Sequence, residues 1–416
     1  MTARVLSDAP WLKSGPAGRV LALLNGGGEE ARVIGGAVRN ALLGLAVADI
    51  DIATTALPDE VIRRAAAEGI KSVPTGIEHG TVTLVLDSHP FEVTTLREDT
   101  ETFGRKAKVA FGRDWARDAE RRDFTINGLS VDAAGIVHDY VGGLADIAER
   151  RVRFIGNPAE RIAEDYLRIL RFFRIHAAYA AGEVDRAGYL ACIGGREGLA
   201  SLSAERVRME MLKLMVAPGA AGAIVAMADS GLLQQIIGGV AYTGPLDAMI
   251  GIERILDLPA DAMRRLGALA VAVTEDARRL ATRLRLSNAE AKALDSMGHR
   301  WWRLISMDEA TARRRLYRLG ADAYRDRLML AWARSGGGDA GDWRQMADLP
   351  RRWSAPRFPL RAADFIARGI AEGPALGHVL TIAEDAWLAA GFPLEADAVA
   401  AIAEQTVARF TRDHRL

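Results

Sequence analysis

The chain has 416 residues, half of them hydrophobic and 26% charged, a composition that excludes a disordered polymer and leaves room for several packed domains. Lysine plus arginine (54) equals aspartate plus glutamate (54), which excludes a polybasic protein held to nucleic acid by bulk charge but not one with local basic patches. One cysteine, Cys192, excludes a disulfide scaffold and any cysteine-rich zinc or iron–sulfur site.

Residues 30–140 read as mixed α/β. The run ARVIGG is a short apolar strand stopped by two glycines, GAVRNALLGL has helical periodicity, and ADIDIAT alternates with period two. A second amphipathic helix follows at about 58–69, and then TVTLVL and PFEVTTL form a hairpin split by Asp87-Ser88-His89-Pro90. A polar stretch from Arg97 to Arg122 leads into strand-like pieces in TINGLSVD and GIVHDYVGG. From Pro158 onward apolar residues recur at helical spacing to the C-terminus, with loops expected at the glycines 336–338 and from Pro350 to Pro359.

Asp49 and Asp51 carry the first chemical signal. On a strand, positions i and i+2 project from one face, so the two carboxylates lie a few ångströms apart. Like charges that close resist joint ionisation unless a cation sits between them, and hard oxygen ligands favour Mg²⁺. The polar face of an edge strand would account for the pair equally well. Upstream, Gly35-Gly36 ends a strand where a helix begins, a place at which glycine backbone and free N–H groups can cradle a phosphate, with Arg39 in the first turn within reach. A tight turn alone would also explain it. Together the two features describe a nucleotidyl-transfer site, and Glu92 on the later strand is a third carboxylate that could complete it or stand simply exposed.

The segments GGAVRNALLG and DIDIAT resemble the signature of the polymerase-β-like nucleotidyltransferases, in the group of class II tRNA nucleotidyltransferases and bacterial poly(A) polymerases. In the same order, RRDFTINGL (121–129), DYVGGLAD (139–146), the neck-helix segment 154–175 and LSAERVRMEMLKLM (202–215) look like further blocks of that group. The segment 358–380 resembles the tail of CCA-adding enzymes. Two departures are visible: Asn40 stands where the family usually has Asp, and Gly128 where it has Ala.

The resemblance implies an α+β fold, with a nucleotidyltransferase head carrying a mixed β-sheet (1–150), an all-α neck with a nucleobase-reading helix (151–216), an RNA-binding body (217–335) and a tail (336–416). It implies Asp49 and Asp51 as metal ligands, with Glu92 beside them. Gly36, Arg39, Arg122, Asn127, Arg171 and Arg174 are then nucleotide-binding residues, with the two neck arginines either lining the triphosphate or holding the base-reading pair. It also implies that Asp165 and Arg168 read the base. Cytosine and adenine share an amino donor beside an unprotonated ring nitrogen, guanine and uracil the reverse, so a carboxylate acceptor and a guanidinium donor accept the first two and oppose the others. A surface i,i+3 salt bridge is the plain alternative for that pair, and an ion-pair knot the alternative for Arg121, Arg122 and Asp123.

The polar span 97–120, with Arg105, Lys106, Lys108, Arg113 and Arg117 among Phe103, Phe111 and Trp115, resembles the loop that family members use to switch from C to A; a solvated linker is the other reading. His79 is expected in a turn, and no histidine lies at zinc spacing. Between Arg278 and Arg318 eleven basic residues face four acidic ones, a candidate grip on folded RNA, with Trp301 or Trp302 as stacking platforms or core residues. The expected partners are tRNA (its 3′ end and folded body), CTP and ATP, with Mg²⁺ as cofactor and no protein partner. The N-terminus lacks the apolar core of a signal peptide and no run suits a membrane helix, so a cytoplasmic protein is expected. A poly(A) polymerase, an enzyme adding only CC or only A, and an RNA-binding protein with a disused head remain the alternatives.

Overall fold

The computed structural model describes residues 6–103, 106–305, 307–336 and 340–413, with the side chains of 98–110 outside the description. Among the described residues the chain divides into two compact units, one of residues 1–243 with 279–287 and the other of 244–278 with 288–416.

Strands of the first unit are β1 (Ala31–Ile34), β2 (Asp51–Thr54), β3 (Lys71–Gly76), β4 (Thr81–Leu86), β5 (His89–Thr95), β6 (Arg97–Phe103), β7 (Lys106–Phe111), β8 (Ser130–Val131) and β9 (Val137–His138). Seven of them form one sheet in the order β3-β4-β5-β2-β1-β8-β9. β2 pairs with β5 in parallel and the remaining neighbours are antiparallel, so the sheet is mixed as expected. Alternation in β4 buries Val82, Leu84 and Leu86 on one face. The helices Pro16–Leu24 and Pro58–Ala67 bury Val20, Leu21, Leu24, Val61 and Ala65, which are the apolar stripes their sequences show.

Several expected boundaries move. β2 begins only at Asp51, so Asp49 sits in the approach to the strand rather than within it. The β4–β5 turn is two residues, Asp87 and Ser88, both at positive φ, while His89 and Pro90 already belong to β5. That is the hairpin turn whose twist matches the strands, and its usual Asn-Gly signature is missing here. The polar stretch after Arg97 contains an antiparallel hairpin, β6 with β7, pairing Arg97 with Phe111 and Phe103 with Lys106. Charged residues on both strands hide its alternation from a hydropathy reading. The sequence TIN forms a 3-10 turn, not a strand, and the glycines 337–338 lie outside the described residues. His79 ends a 3-10 turn, in keeping with its expected place.

The first unit continues into helices Pro158–Glu164, Leu167–Tyr179 and Ala204–Met215. Phe124 packs against Phe154 and Phe172, with ring centroids 4.9 and 6.1 Å away, and this aromatic cluster fixes the RRDFTIN segment to the helix Leu167–Tyr179.

The described part of the second unit, taken by itself, is helical. Glu253 is buried there between Arg264 and Arg265, at 3.3 and 2.7 Å. Trp301, half-buried, donates its indole N–H to the Ala272 carbonyl at 2.8 Å, whereas Trp302 is 47% exposed. Pro350 lies inside the helix Ala340–Arg352, so the loop expected there begins at Trp353.

Candidate active site

β1 ends at Ile34, and Gly35 turns the chain with φ +65°, a conformation that favours glycine, so that the helix Gly36–Leu42 starts at once. Antiparallel pairing sets Ile34 opposite Asp51, which brings the end of β1 beside the start of β2. Parallel pairing of β2 with β5 then sets Ile52 opposite Val93, so Glu92 stands next to the Asp51 end.

A cavity of about 600 Å³ opens at this point. Gly35, Gly36, Arg39, Asp49, Asp51, Arg122 and Asn127 line one part of it, and Asp165, Arg168, Arg171 and Arg174 line another. All the expected site residues therefore share this cavity except Glu92, which lines an adjoining one together with Asp49 and Asp51. Burial raises the Asp51 carboxyl above its ordinary value, the charges of Glu92 and Asp49 add to the shift, and Arg122 opposes it. A hard divalent cation between Asp49 and Asp51 would offset that repulsion, so the donor set fits such an ion. Among the described residues no group of three carboxylate, histidine or cysteine side chains is placed to hold a metal ion.

Arg39 is 6% exposed. It donates to Asn127 Oδ1 at 2.5 Å, to Asn40 Oδ1 at 2.9 Å and to the Tyr179 hydroxyl at 2.7 Å, and its guanidinium lies 3.7 Å from the centre of the Tyr179 ring. Asn40 in turn donates to the Ala46 carbonyl at 3.0 Å, a bond that the aspartate usual in the family could not make. The Arg39 fork is thus committed within the protein and holds Asn127 in place.

The RRDFTIN segment does form ion pairs, but not among its own charges. Asp118, one turn upstream, takes Arg121 at 2.5 Å and Arg122 at 2.8 Å. Asp123 reaches Arg171 at 2.5 Å and also accepts from Asn127 and from the Phe124 amide. Burial works to raise the Asp123 carboxyl, and Arg171 with these hydrogen bonds holds it below the usual range. Beneath the segment, fully buried Asp146 binds the Thr125 hydroxyl at 2.5 Å and Arg153 at 3.0 Å. Gly143 packs so closely that a Cβ there would collide with the Thr125 carbonyl oxygen, which explains the Gly-Gly turn of DYVGGLAD.

Asp165 and Arg168 are not neighbours on one helix. The helix Pro158–Glu164 ends at Asp165, whose backbone is extended, and a new helix begins at Leu167. Asp165 is held by both terminal nitrogens of Arg206, at 2.6 and 3.2 Å, and accepts from the Leu167 amide. Arg168 donates through Nη1 to Glu164 at 2.5 Å and to the Arg161 carbonyl at 2.7 Å, leaving Nε and Nη2 without an acceptor among the described residues. No Asp165–Arg168 salt bridge forms, and both side chains line the cavity. Arg174 pairs with buried Glu210 at 2.5 Å.

Sequence reasoning missed Arg206, Arg161, Asp118 and Tyr179. Asp118 was within reach of an i,i+3 and i,i+4 reading toward Arg121 and Arg122. Arg206 lies in a recognised motif, but its partner is 41 residues away, and nothing local marks Tyr179. Of the polar span, Arg113 pairs with Glu29 at 2.9 Å and Trp115 lies under Arg32, while the expectations for Phe103, Arg105, Lys106 and Lys108 fall outside the described side chains.

Residues 31–153 match the family model described as the poly A polymerase head domain, and residues 196–242 the one described as the probable RNA and SrmB-binding site of polymerase A. The chain is 32% identical to the mitochondrial CCA tRNA nucleotidyltransferase 1 of Danio rerio over 88% of its own length and 85% of that protein. It is 31% identical to the CCA-adding enzyme of Limosilactobacillus fermentum, covering 88% and 90% of the two chains. Among solved structures, the Bacillus stearothermophilus CCA-adding enzyme in complex with CTP superposes with a TM-score of 0.77 at 26% identity, over 97% of this chain and 99% of that one. Near-complete coverage on both sides, at this identity and with the motifs gathered in one cavity, means that the chain belongs to the family of CCA-adding tRNA nucleotidyltransferases.

Proposed function

We propose that this enzyme adds C, C and A in turn to the 3′ end of tRNA, taking CTP and then ATP and releasing pyrophosphate without a template. One observation carries the reading: a single cavity joins a carboxylate pair suited to phosphoryl transfer with a carboxylate and a guanidinium suited to reading a base.

Enzymes of this family use a divalent metal, and we propose Mg²⁺, held by Asp49 and Asp51. When bound, it would supply Lewis-acid stabilisation of the α-phosphate and favour the ionised 3′-hydroxyl. The backbone at Gly35 and Gly36 and the Arg122 guanidinium receive the phosphates, and Arg39 fixes Asn127 against the sugar or phosphate. The RNA 3′-oxygen attacks the α-phosphorus as its proton passes to solvent, the bond to the β-phosphate breaks, and pyrophosphate carries away the charge beside the arginines. Asp165, kept ionised by Arg206, accepts from the exocyclic amino group of cytosine or adenine, and Arg168 donates to the ring nitrogen. Arg171 and Arg174, paired with Asp123 and Glu210, hold this helix to the head and to its neighbour.

The head is assigned to 1–150, the neck to 151–216, the RNA-binding body to 217–335 and the tail to 336–416. We place the enzyme in the cytoplasm, a reducing compartment in keeping with its one cysteine. Among the described residues no helix is long and apolar enough to cross a membrane.

Extension of a tRNA transcript lacking CCA tests the reading. Two added nucleotides with CTP alone and three with CTP and ATP are expected. A stop at two with both nucleotides would make it a CC-adding enzyme, and a long ladder with ATP alone a poly(A) polymerase.

A further inference from the structure

The adjoining cavity, of about 690 Å³, meets the nucleotide cavity only at Asp49 and Asp51. Its walls differ in kind. The nucleotide side carries seven arginines, whereas this side carries none and is built from Trp11, Pro16, Val47, Pro90 and Phe91, with Glu92 beside the shared carboxylates. A triphosphate belongs among the arginines, so the aromatic side is free for the other reactant. In-line displacement requires the attacking oxygen to approach the α-phosphorus from the side away from the departing pyrophosphate.

We propose that this second cavity seats the 3′-terminal nucleoside of the RNA acceptor, with its base against the Trp11 ring and its 3′-hydroxyl at Asp49, Asp51 and Glu92. The inference rests on the functional reading above and adds a site to it. Trp11 belongs to the short helix Pro10–Lys13, which is anchored by buried Leu12, and its half-buried ring forms part of the cavity wall. Phe91, 4% exposed, adds to the lining from β5. Thr83, paired across the sheet with Glu92, also lines the cavity.

The two cavities also divide the problem of specificity. The terminal base of the acceptor changes after each addition, so its site must tolerate any base, and stacking does so because every base has a π face. The incoming base must be C or A, and hydrogen bonds on the arginine side make that choice.

The test uses the full chain and a tRNA transcript lacking CCA that ends in 4-thiouridine. Irradiation should crosslink the terminal base to the peptide containing Trp11 or the one containing Phe91. Crosslinks found only on residues of the arginine-rich cavity would overturn the proposal. Trp11→Ala should raise the KM for tRNA about tenfold or more. Its CTP affinity, measured by equilibrium dialysis without RNA, should stay unchanged, and Trp11→Phe should restore most of the loss. An unchanged tRNA KM in Trp11→Ala, or an equal loss of CTP affinity, would overturn the site while leaving the functional reading intact. A wild-type protein that extends no transcript would overturn both.

Discussion

Asp165 receives both terminal nitrogens of Arg206, at 2.6 and 3.2 Å, across a break between two helices that the sequence runs together. The break frees the Asp165 carboxylate from the helix and turns it into the cavity, and Arg206 keeps it there. Burial works to raise this carboxyl, but the hydrogen bonds from Arg206 and the Leu167 amide hold it below its ordinary value. An ionised acceptor is what an exocyclic amino group needs.

Arg206→Met should therefore damage base selection while leaving the carboxylate site intact. Losing a charged hydrogen-bond partner costs about 2 kcal/mol, or roughly thirtyfold in rate with CTP and ATP. The released Asp165 no longer has a fixed direction, so UTP and GTP should be excluded less well. Single-turnover extension with each of the four nucleotides checks this, and an equal fall for all four would point to a general loss of fold. Arg206→Lys should rescue little, because one ammonium cannot replace a two-pronged grip.

Asp51→Asn should abolish extension and leave the fold in place. It removes one of two carboxylates in the proposed metal site, worth several kcal/mol of transition-state charge stabilisation; at about 4 kcal/mol the loss is roughly a thousandfold in kcat. Circular dichroism and CTP binding measured alongside the rate should change little. Retained extension would remove Asp51 from the chemistry.

Much of this site was legible in the sequence because its parts are local. The Asp49/Asp51 spacing, the Gly35-Gly36 turn and the RRDFTIN segment each carry a short pattern, and all line one cavity. What was not legible depends on partners far along the chain. The apolar spacing of IAEDYLRILRFF reads as one helix, and only Arg206, from a later helix, holds the extended Asp165. Tyr179 covers Arg39 from 140 residues away. The β6–β7 hairpin escaped for a different reason, since REDTETF carries charge at four of its first five positions and has one apolar residue, so this strand presents no apolar face to detect.

Asp326, in the second unit, offers a test of stability against pH. Burial pushes its carboxyl up to about 6, with Arg264 opposing the shift. Its folded value lies above its unfolded value, so between about pH 4 and 6 the native state binds more protons than the unfolded state and stability falls as pH rises. Asp326→Asn should raise Tm only slightly near pH 4.5 and more at pH 7.5, there by a margin on the order of 2 kcal/mol once solvent screening of this partly exposed group is allowed for. Calorimetric scans at the two pH values check the sign, and destabilisation at pH 7.5 would mean that the 3.6 Å contact with Arg264 outweighs the burial cost.

The Asp123–Arg171 pair joins the head to the helix Leu167–Tyr179, and its energetics are asymmetric. Arg171→Met leaves the Asp123 carboxylate, only 9% exposed, without its cation, and breaking one side of a buried pair costs about 3–5 kcal/mol. The Asp123 carboxyl, now held below its ordinary value, should then move up, because burial is the term left unopposed. In the wild type the pair's contribution is present above the unfolded carboxylate value and is lost as pH falls through the lower folded one. In the variant the sign reverses: protonation relieves the stranded charge, so lowering the pH from 7.5 to 5.5 should recover part of the lost stability. Hydrogen-exchange protection factors for peptides spanning 121–131 and 167–179 report both segments at once. Asp123→Asn combined with Arg171→Met should recover protection relative to Arg171→Met alone, since it removes the stranded charge and keeps an acceptor for the Phe124 amide. If the double variant were as unprotected as the single one, packing of the arginine stem rather than its charge would be what joins the helix to the head.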